Sequence, residues 1–192
     1  MGYSKAFLDQ HRYINVDDSY WYECIFEEFI EDMKQKGISI FYDYRGSAHN
    51  HTATPRIYFS GFWSQGDGAC FEGEIEDLEK FLKAHEIDGK SINNFVKLGG
   101  MINLSCAQVG HYYSVRFDSE YTNMEDLAEE NSFYATLAGV LVDEKDIIEF
   151  CDETAPAIFR RHMDDLYKRL ENEYDYQTSD EAVSETLEAN DA

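Results

Sequence analysis

Positive charge is scarce in this chain. Sixteen Lys and Arg stand against 39 Asp and Glu, a formal charge of −23 over 192 residues. That argues against direct binding to DNA, RNA or an anionic membrane surface, each of which would repel it. The four cysteines, Cys24, Cys70, Cys106 and Cys151, include no C-x-x-C pair, so neither a zinc knuckle nor a paired redox site is expected. Each lies in an apolar or strand-like context, and four reduced, mostly buried thiols follow. No apolar run reaches the length of a membrane span. No apolar h-region appears between Met1 and Arg12, and a cytoplasmic protein is the expectation. Internal repeats and low-complexity tracts are missing as well.

What is present is aromatic. Phe, Trp and Tyr make up 15% of the chain and apolar residues 43%, so it should bury a real core despite its charge. The length suits one domain, with room for an appendage. Residues 1–16 read as a leading strand or loop. Tyr22, Ile25, Phe26, Phe29, Ile30 and Met33 recur at helical spacing after the capping residues Asp17, Asp18 and Ser19, and Gly37 supplies a stop. Strands are expected over 38–44, 56–63 and 69–75, with a polar loop over 46–54. The turn Ser64-Gln65-Gly66-Asp67-Gly68 carries the glycines that positive φ angles need. Short helices are expected over 76–85 and 91–98. Residues 101–107 and 111–117 form the clearest hairpin. Helices then fill 124–142 and 143–174, the second kinked or restarted at Pro156. Thr178 to Glu181 has the form of a capping box for a last helix. The expected fold is α+β: a small, mostly antiparallel sheet of about five strands, an N-terminal helix, and a helical acidic C-terminal part. Residues 1–119 would form the sheet core, and 120–192 the helical portion packed on it.

The charge has an address. Residues 120–192 hold 21 acids and 5 bases, a net −16, against a net −7 for residues 1–119. Acids at three- or four-residue spacing share a helix face. Three such rows stand out: Glu125, Asp126, Glu129 and Glu130; Glu149, Asp152 and Glu153; and Glu181, Glu185 and Glu188, with Asp180 ahead of them. Like charges so placed destabilise a helix by a few tenths of a kcal/mol per pair, so solubility or a partner must account for them. Carboxylates at this separation approach the charge density of a nucleic-acid backbone. A solvated face is the plain alternative.

Conventional catalytic signatures are missing: no phosphate-binding glycine loop, no G-x-S-x-G elbow, no H-E-x-x-H helix. The segment Gly61 to Glu74 is the most distinctive. Its candidate site residues are Trp63, Gln65, Asp67 and Cys70. Cys70 with His111 or His85 as base would make a small enzyme. The plain alternative is a glycine turn flanked by core aromatics. Asp67, Glu72 and Glu74 do not follow the spacing of a calcium loop. His49 and His51 lack a cysteine companion for zinc. No metal or cofactor is expected. Arg160, Arg161, His162, Lys168 and Arg169 form the basic cluster of the acidic half, expected to pair with Asp164, Asp165 and Glu171.

Two segments, Ser60-Gly61-Phe62-Trp63-Ser64-Gln65-Gly66-Asp67-Gly68-Ala69-Cys70-Phe71 and Leu166-Tyr167 through Thr178-Ser179-Asp180-Glu181-Ala182, resemble a group of small acidic accessory proteins of bacteriophages and plasmids, some with an antitoxin-like label. The resemblance implies a mobile-element setting in a bacterial host cell and brings no catalytic residues. Joined to the charge, it leads to an expected function: an acidic interaction protein that inhibits a host nucleic-acid-binding or anti-phage defence protein by DNA mimicry. The expected partner is a host protein with a basic surface, and a homodimer stays open. The alternatives are an antitoxin-like protein acting through the 61–71 turn, and an enzyme built on Cys70.

Overall fold

The computed structural model describes residues 3–18, 20–47, 50–87, 89–110, 113–123 and 142–190. The apolar stretches around Ile38, Ile57 and Phe71 are extended, but each breaks in two. The first gives β1 (Ile38–Ile40) and β2 (Tyr42–Ser47), the second β3 (Asn50–Pro55) and β4 (Ile57–Ser60), and the third β5 (Gly68–Phe71) and β6 (Gly73–Ile75). The breaks fall at Phe41, Arg56 and Glu72. These three residues close a ring of backbone hydrogen bonds. Phe41 N–H donates to the Glu72 carbonyl at 2.9 Å, Arg56 N–H to that of Phe41 at 2.8 Å, and Glu72 N–H to that of Arg56 at 2.9 Å. Three antiparallel ribbons leave the ring: β1–β6, β2–β3 and β4–β5. Every backbone polar group must find a partner, and the ring lets each strand change partners without orphaning these.

Side chains brace the same point. Arg56 donates from Nε to Asp43 and from Nη1 to Glu72, both at 2.9 Å. Glu72 uses its other oxygen to accept the Gln108 N–H at 3.1 Å. Gln108 belongs to β7 (Ile102–Val109), which pairs with β6 and with β8 (Ser114–Tyr121) to complete the sheet β1-β6-β7-β8. The described strands thus number eight short segments in three small antiparallel sheets, where the sequence led to about five strands in one. The polar stretch 46–54, expected as a loop, lies largely in the β2–β3 ribbon.

The helices are α1 (Lys5–Gln10), α2 (Tyr20–Gln35), α3 (Leu78–Ala84), α4 (Lys90–Lys97), α5 (Glu144–Glu149), α6 (Ala155–Gln177) and α7 (Asp180–Asn190). Gly37 closes α2 at φ +78°, and a Cβ there would strike the Asp77 carbonyl. A π-helical turn, Phe150–Thr154, joins α5 to α6, with the Ala155 N–H reaching back to the Phe150 carbonyl. Pro156 brings no N–H to the first turn of α6, yet Glu149, Phe150, Thr154 and Ala155 all keep right-handed helical angles, so the helix runs on through the π turn just before the proline rather than restarting there. The helix expected over 124–142 lies outside the described residues.

Helices α2 and α6 cover the sheets. Fully buried Phe29 meets Phe71 of β5 edge-on at 5.6 Å, and Phe71 stacks on Phe159 of α6 at 5.7 Å. Met33, Ile38, Phe81, Phe95, Phe150, Leu166 and Leu170 continue one core. It draws on both sides of residue 119.

The two ends of the described chain meet in a separate clasp. Residues 5–10, expected as strand or loop, are helix α1, whose Ser4 cap accepts the Phe7 N–H. Leu8 packs with Val183 and Leu187 of α7, and Tyr3 and Ile14 lean on them. Lys5 and Arg12 both bond Asp180, and Arg12 also reaches Asp9 and the Thr178 carbonyl. The capping residue of α7 is Ser179, which accepts the Ala182 N–H at 3.2 Å. Thr178, the expected cap, instead donates its hydroxyl to the Tyr174 carbonyl and closes α6.

Candidate functional site

Of the acidic rows, the structure groups Glu149, Asp152 and Glu153. They stand exposed at the end of α5 and on the π turn, around an open hollow of about 400 Å³ shared with Lys145 and Ile148. None of the three forms an ion pair with a described residue. Glu181, Glu185 and Glu188 are exposed on α7. Asp180 is drawn to Lys5 and Arg12, whose hydrogen bonds hold its carboxyl below the usual range. Glu125, Asp126, Glu129 and Glu130 lie outside the described residues. The two described rows start at opposite ends of α6, whose 23 residues span about 35 Å. That exceeds the Debye length of about 8 Å several-fold, so charges at the two ends of α6 are screened from one another. In the basic cluster, Arg169 pairs with Asp165 and Asp32, and Arg160 lies over the Phe117 ring.

The 61–68 turn is built around Asp67. Its carboxylate accepts the Ser64 N–H, its own N–H bonds the Ser64 carbonyl, and Gly61 at φ +50° leaves room for that carboxylate. Phe62 packs on Tyr167 and Tyr174 of α6. Trp63 is held at φ +83° with 70% of its surface exposed, touching Tyr174 at 5.5 Å. Gln65 is exposed. Cys70 points the other way, into the core, fully buried, and burial first and Glu72 second push its thiol up to about 12. A thiol so protonated is a poor nucleophile. Of its two expected bases, His111 lies outside the described residues. His85 is engaged elsewhere: its Nδ1 meets the Phe81 carbonyl and its Nε2 meets His162 Nε2 at 2.8 Å. Cys106 and Cys151 are buried and Cys24 is exposed, all as free thiols. Among the described residues no three His, Cys, Asp or Glu are gathered to hold a metal ion. Asp67 and Glu72 already spend their carboxylates within the fold. His49 and the side chain of His51 lie outside the described residues.

The sequence did not single out a broad hollow beside α2. Where the β2–β3 ribbon swings away from β4, it leaves a wedge against α2 of about 800 Å³. Tyr22, Phe26 and Ile30, four residues apart, line the helix wall. Tyr42, Pro55, Tyr58, Phe59 and Tyr113 line the other sides. Phe59 meets Tyr22 edge-on at 5.2 Å and Phe26 at 6.1 Å. Glu23 and Glu27 stand beside the stripe, exposed, and among the described residues no Lys or Arg lines the wedge. The signal was present in the spacing of Tyr22 and Phe26 with an acid after each, but helical spacing alone assigns that face to the core.

Among the described residues no helix is long and apolar enough to cross a membrane. No curated protein and no solved structure matches the chain. The profile of a domain of unknown function, DUF8835, matches residues 21–180, leaving out α1 and all of α7 but its first residue, and the chain belongs to that family.

Proposed function

We propose that this DUF8835 member is an acidic interaction protein of the mobile-element kind. It binds a basic, nucleic-acid-binding or defence protein of the host cell and blocks it by placing carboxylates where phosphates would lie. The observation that carries the reading is the Glu149, Asp152 and Glu153 group: exposed, closely spaced and without ion pairs to described residues, at a helical turn that like charges disfavour. Such a cluster attracts a cationic partner over a long range. The test is capture from a bacterial lysate by the wild type and by an E149K/D152K/E153K variant, across a salt series. A basic partner held at low salt, released as ionic strength rises and lost in the variant supports the reading. Capture that survives both charge reversal and high salt defeats it.

A second reading, antitoxin-like neutralisation of a toxin through the 61–71 turn, is favoured by Trp63. A tryptophan held out of the core on a braced turn is the kind of residue that anchors an interface. Trp63→Ala would then abolish capture while the charge reversal left it intact.

A further inference from the structure

We infer that the wedge between α2 and the β2–β3 ribbon is a docking groove for an extended, arginine- or lysine-bearing segment of a partner protein. The inference rests on the proposed reading only in that the partner is basic, and it supplies the anchor point which the scattered carboxylate rows lack.

Three independent features argue for this occupant. Aromatic faces come first: Tyr22, Phe26, Tyr42, Tyr58 and Phe59 are half-buried rather than sealed in the core, and aromatic faces attract guanidinium and ammonium groups. Charge comes second. Glu23 and Glu27 flank the stripe, while the nearby cation Arg56 is held by Asp43 and Glu72. After burial, those same two carboxylates push the Tyr58 phenol above its ordinary value, with Arg56 opposing them. Backbone comes third. In the two-stranded ribbon, β3 pairs with β2 along one edge and, among the described residues, with no strand along the other, and Ala53 and Thr54 of β3 line the wedge. An unpaired strand edge accepts an extended peptide by strand addition, its alternate side chains falling into the pockets alongside. Side-chain alternation keeps the ribbon's own cation away: Tyr42 and Tyr44 share one face, and Asp43 and Arg45 share the other.

The experiment titrates the full chain with a short peptide alternating arginine and threonine, and with the same peptide in which citrulline, the neutral isostere, replaces arginine. Amide chemical shifts report the site and isothermal titration the affinity. Expected are shifts at Ala53 and Thr54, and at least about ten-fold weaker binding of the citrulline peptide. Glu23→Gln with Glu27→Gln should weaken the arginine peptide by about ten-fold as well. A control of equal charge change, Glu185→Gln with Glu188→Gln on α7, should cost less than about two-fold. Tyr58→Leu, checked for an unchanged melting temperature, should also weaken binding. Equal loss from both charge pairs would overturn the groove in favour of diffuse attraction. Equal binding of both peptides would overturn the cationic occupant in favour of an apolar one, and binding without shifts at Ala53 and Thr54 would place it elsewhere. If E149K/D152K/E153K abolishes lysate capture while the groove variants do not, the groove fails and the proposed function stands. If the peptide binds as expected but no basic partner is captured, the reverse holds.

Discussion

The central core and the terminal clasp are built from opposite materials. The core is aromatic and aliphatic, with Phe29, Phe71, Phe81, Phe95 and Phe159 fully buried. The apolar cluster of the clasp is small, Leu8 with Val183 and Leu187, and beside it runs a ladder of charges, Lys5 and Arg12 with Asp9 and Asp180. Apolar burial scales with area and is indifferent to moderate salt, whereas exposed ion pairs are weak and screened. The family match covers the core and stops where the clasp begins. The two regions should therefore come apart under different conditions, and the clasp should open first.

Phe71→Ala should do the most damage. It removes the ring between Phe29 and Phe159 and should cost about 3–5 kcal/mol of global stability, read by chemical denaturation and changing little with salt. Val183→Asp comes next. It places an unpaired charge at a fully buried clasp position, costing roughly 3 kcal/mol locally. Trypsin should then cut quickly after Lys5 and Arg12 while the main melting transition stays near the wild type. A single shifted transition would show instead that clasp and core unfold together.

Acid should separate the regions by pH. In the core, burial pushes His162 down to about 4 and lowers His85, with Lys36 and Arg161 nearby adding to the effect and Asp165 opposing it at His162. The unfolded chain therefore binds more protons than the folded one between pH 6.5 and about 4. Stability falls as pH drops through that window, by up to about 3 kcal/mol for His162. His162→Gln should flatten the slope. In the clasp, hydrogen bonds to Arg12 hold the Asp9 and Asp180 carboxyls low. That contribution is complete above the ordinary carboxylate pKa and is lost only as pH falls through the lowered values, below the histidine window. The smallest effect belongs to Asp180→Asn, expected to speed clasp proteolysis roughly two-fold at low salt and hardly at all at high salt.

Long elements with one continuous period were legible. Helix α2 announced itself through Phe26, Phe29, Ile30 and Met33, and the helical run expected over 143–174 is there as α5, the π turn and α6, without the restart expected at Pro156. The β7–β8 hairpin followed from alternation and Gly110. The ring at Phe41, Arg56 and Glu72 was not legible. None of the three is a turn residue, and what divides the strands is pairing between segments distant in sequence. Arg56 and Glu72, opposite charges inside apolar runs, were the available hint. The strand expected over 38–44 takes in the start of β2, but β3 was missed for a related reason: it reads as a polar stretch, so no apolar alternation marks it. Helix α1 is a six-residue piece held by contacts with α7, below the length at which periodicity speaks. The carboxylates of the candidate site could be counted from the sequence. The wedge could not, because it exists only where the ribbon leaves α2 uncovered.

Residues 38–75 have the connectivity of a branched nucleic-acid stem. One arm, β1–β6, carries the chain in and out, and the other two close on themselves at their tips. Arms of this kind can lengthen or shorten without disturbing the branch point, since each is paired internally and its register is set at Phe41, Arg56 and Glu72. A family built on such a branch can change the depth and reach of the wedge beside α2 by altering one arm alone. Members of the family should therefore differ most in length between Tyr42 and Pro55, and least at the three branch residues.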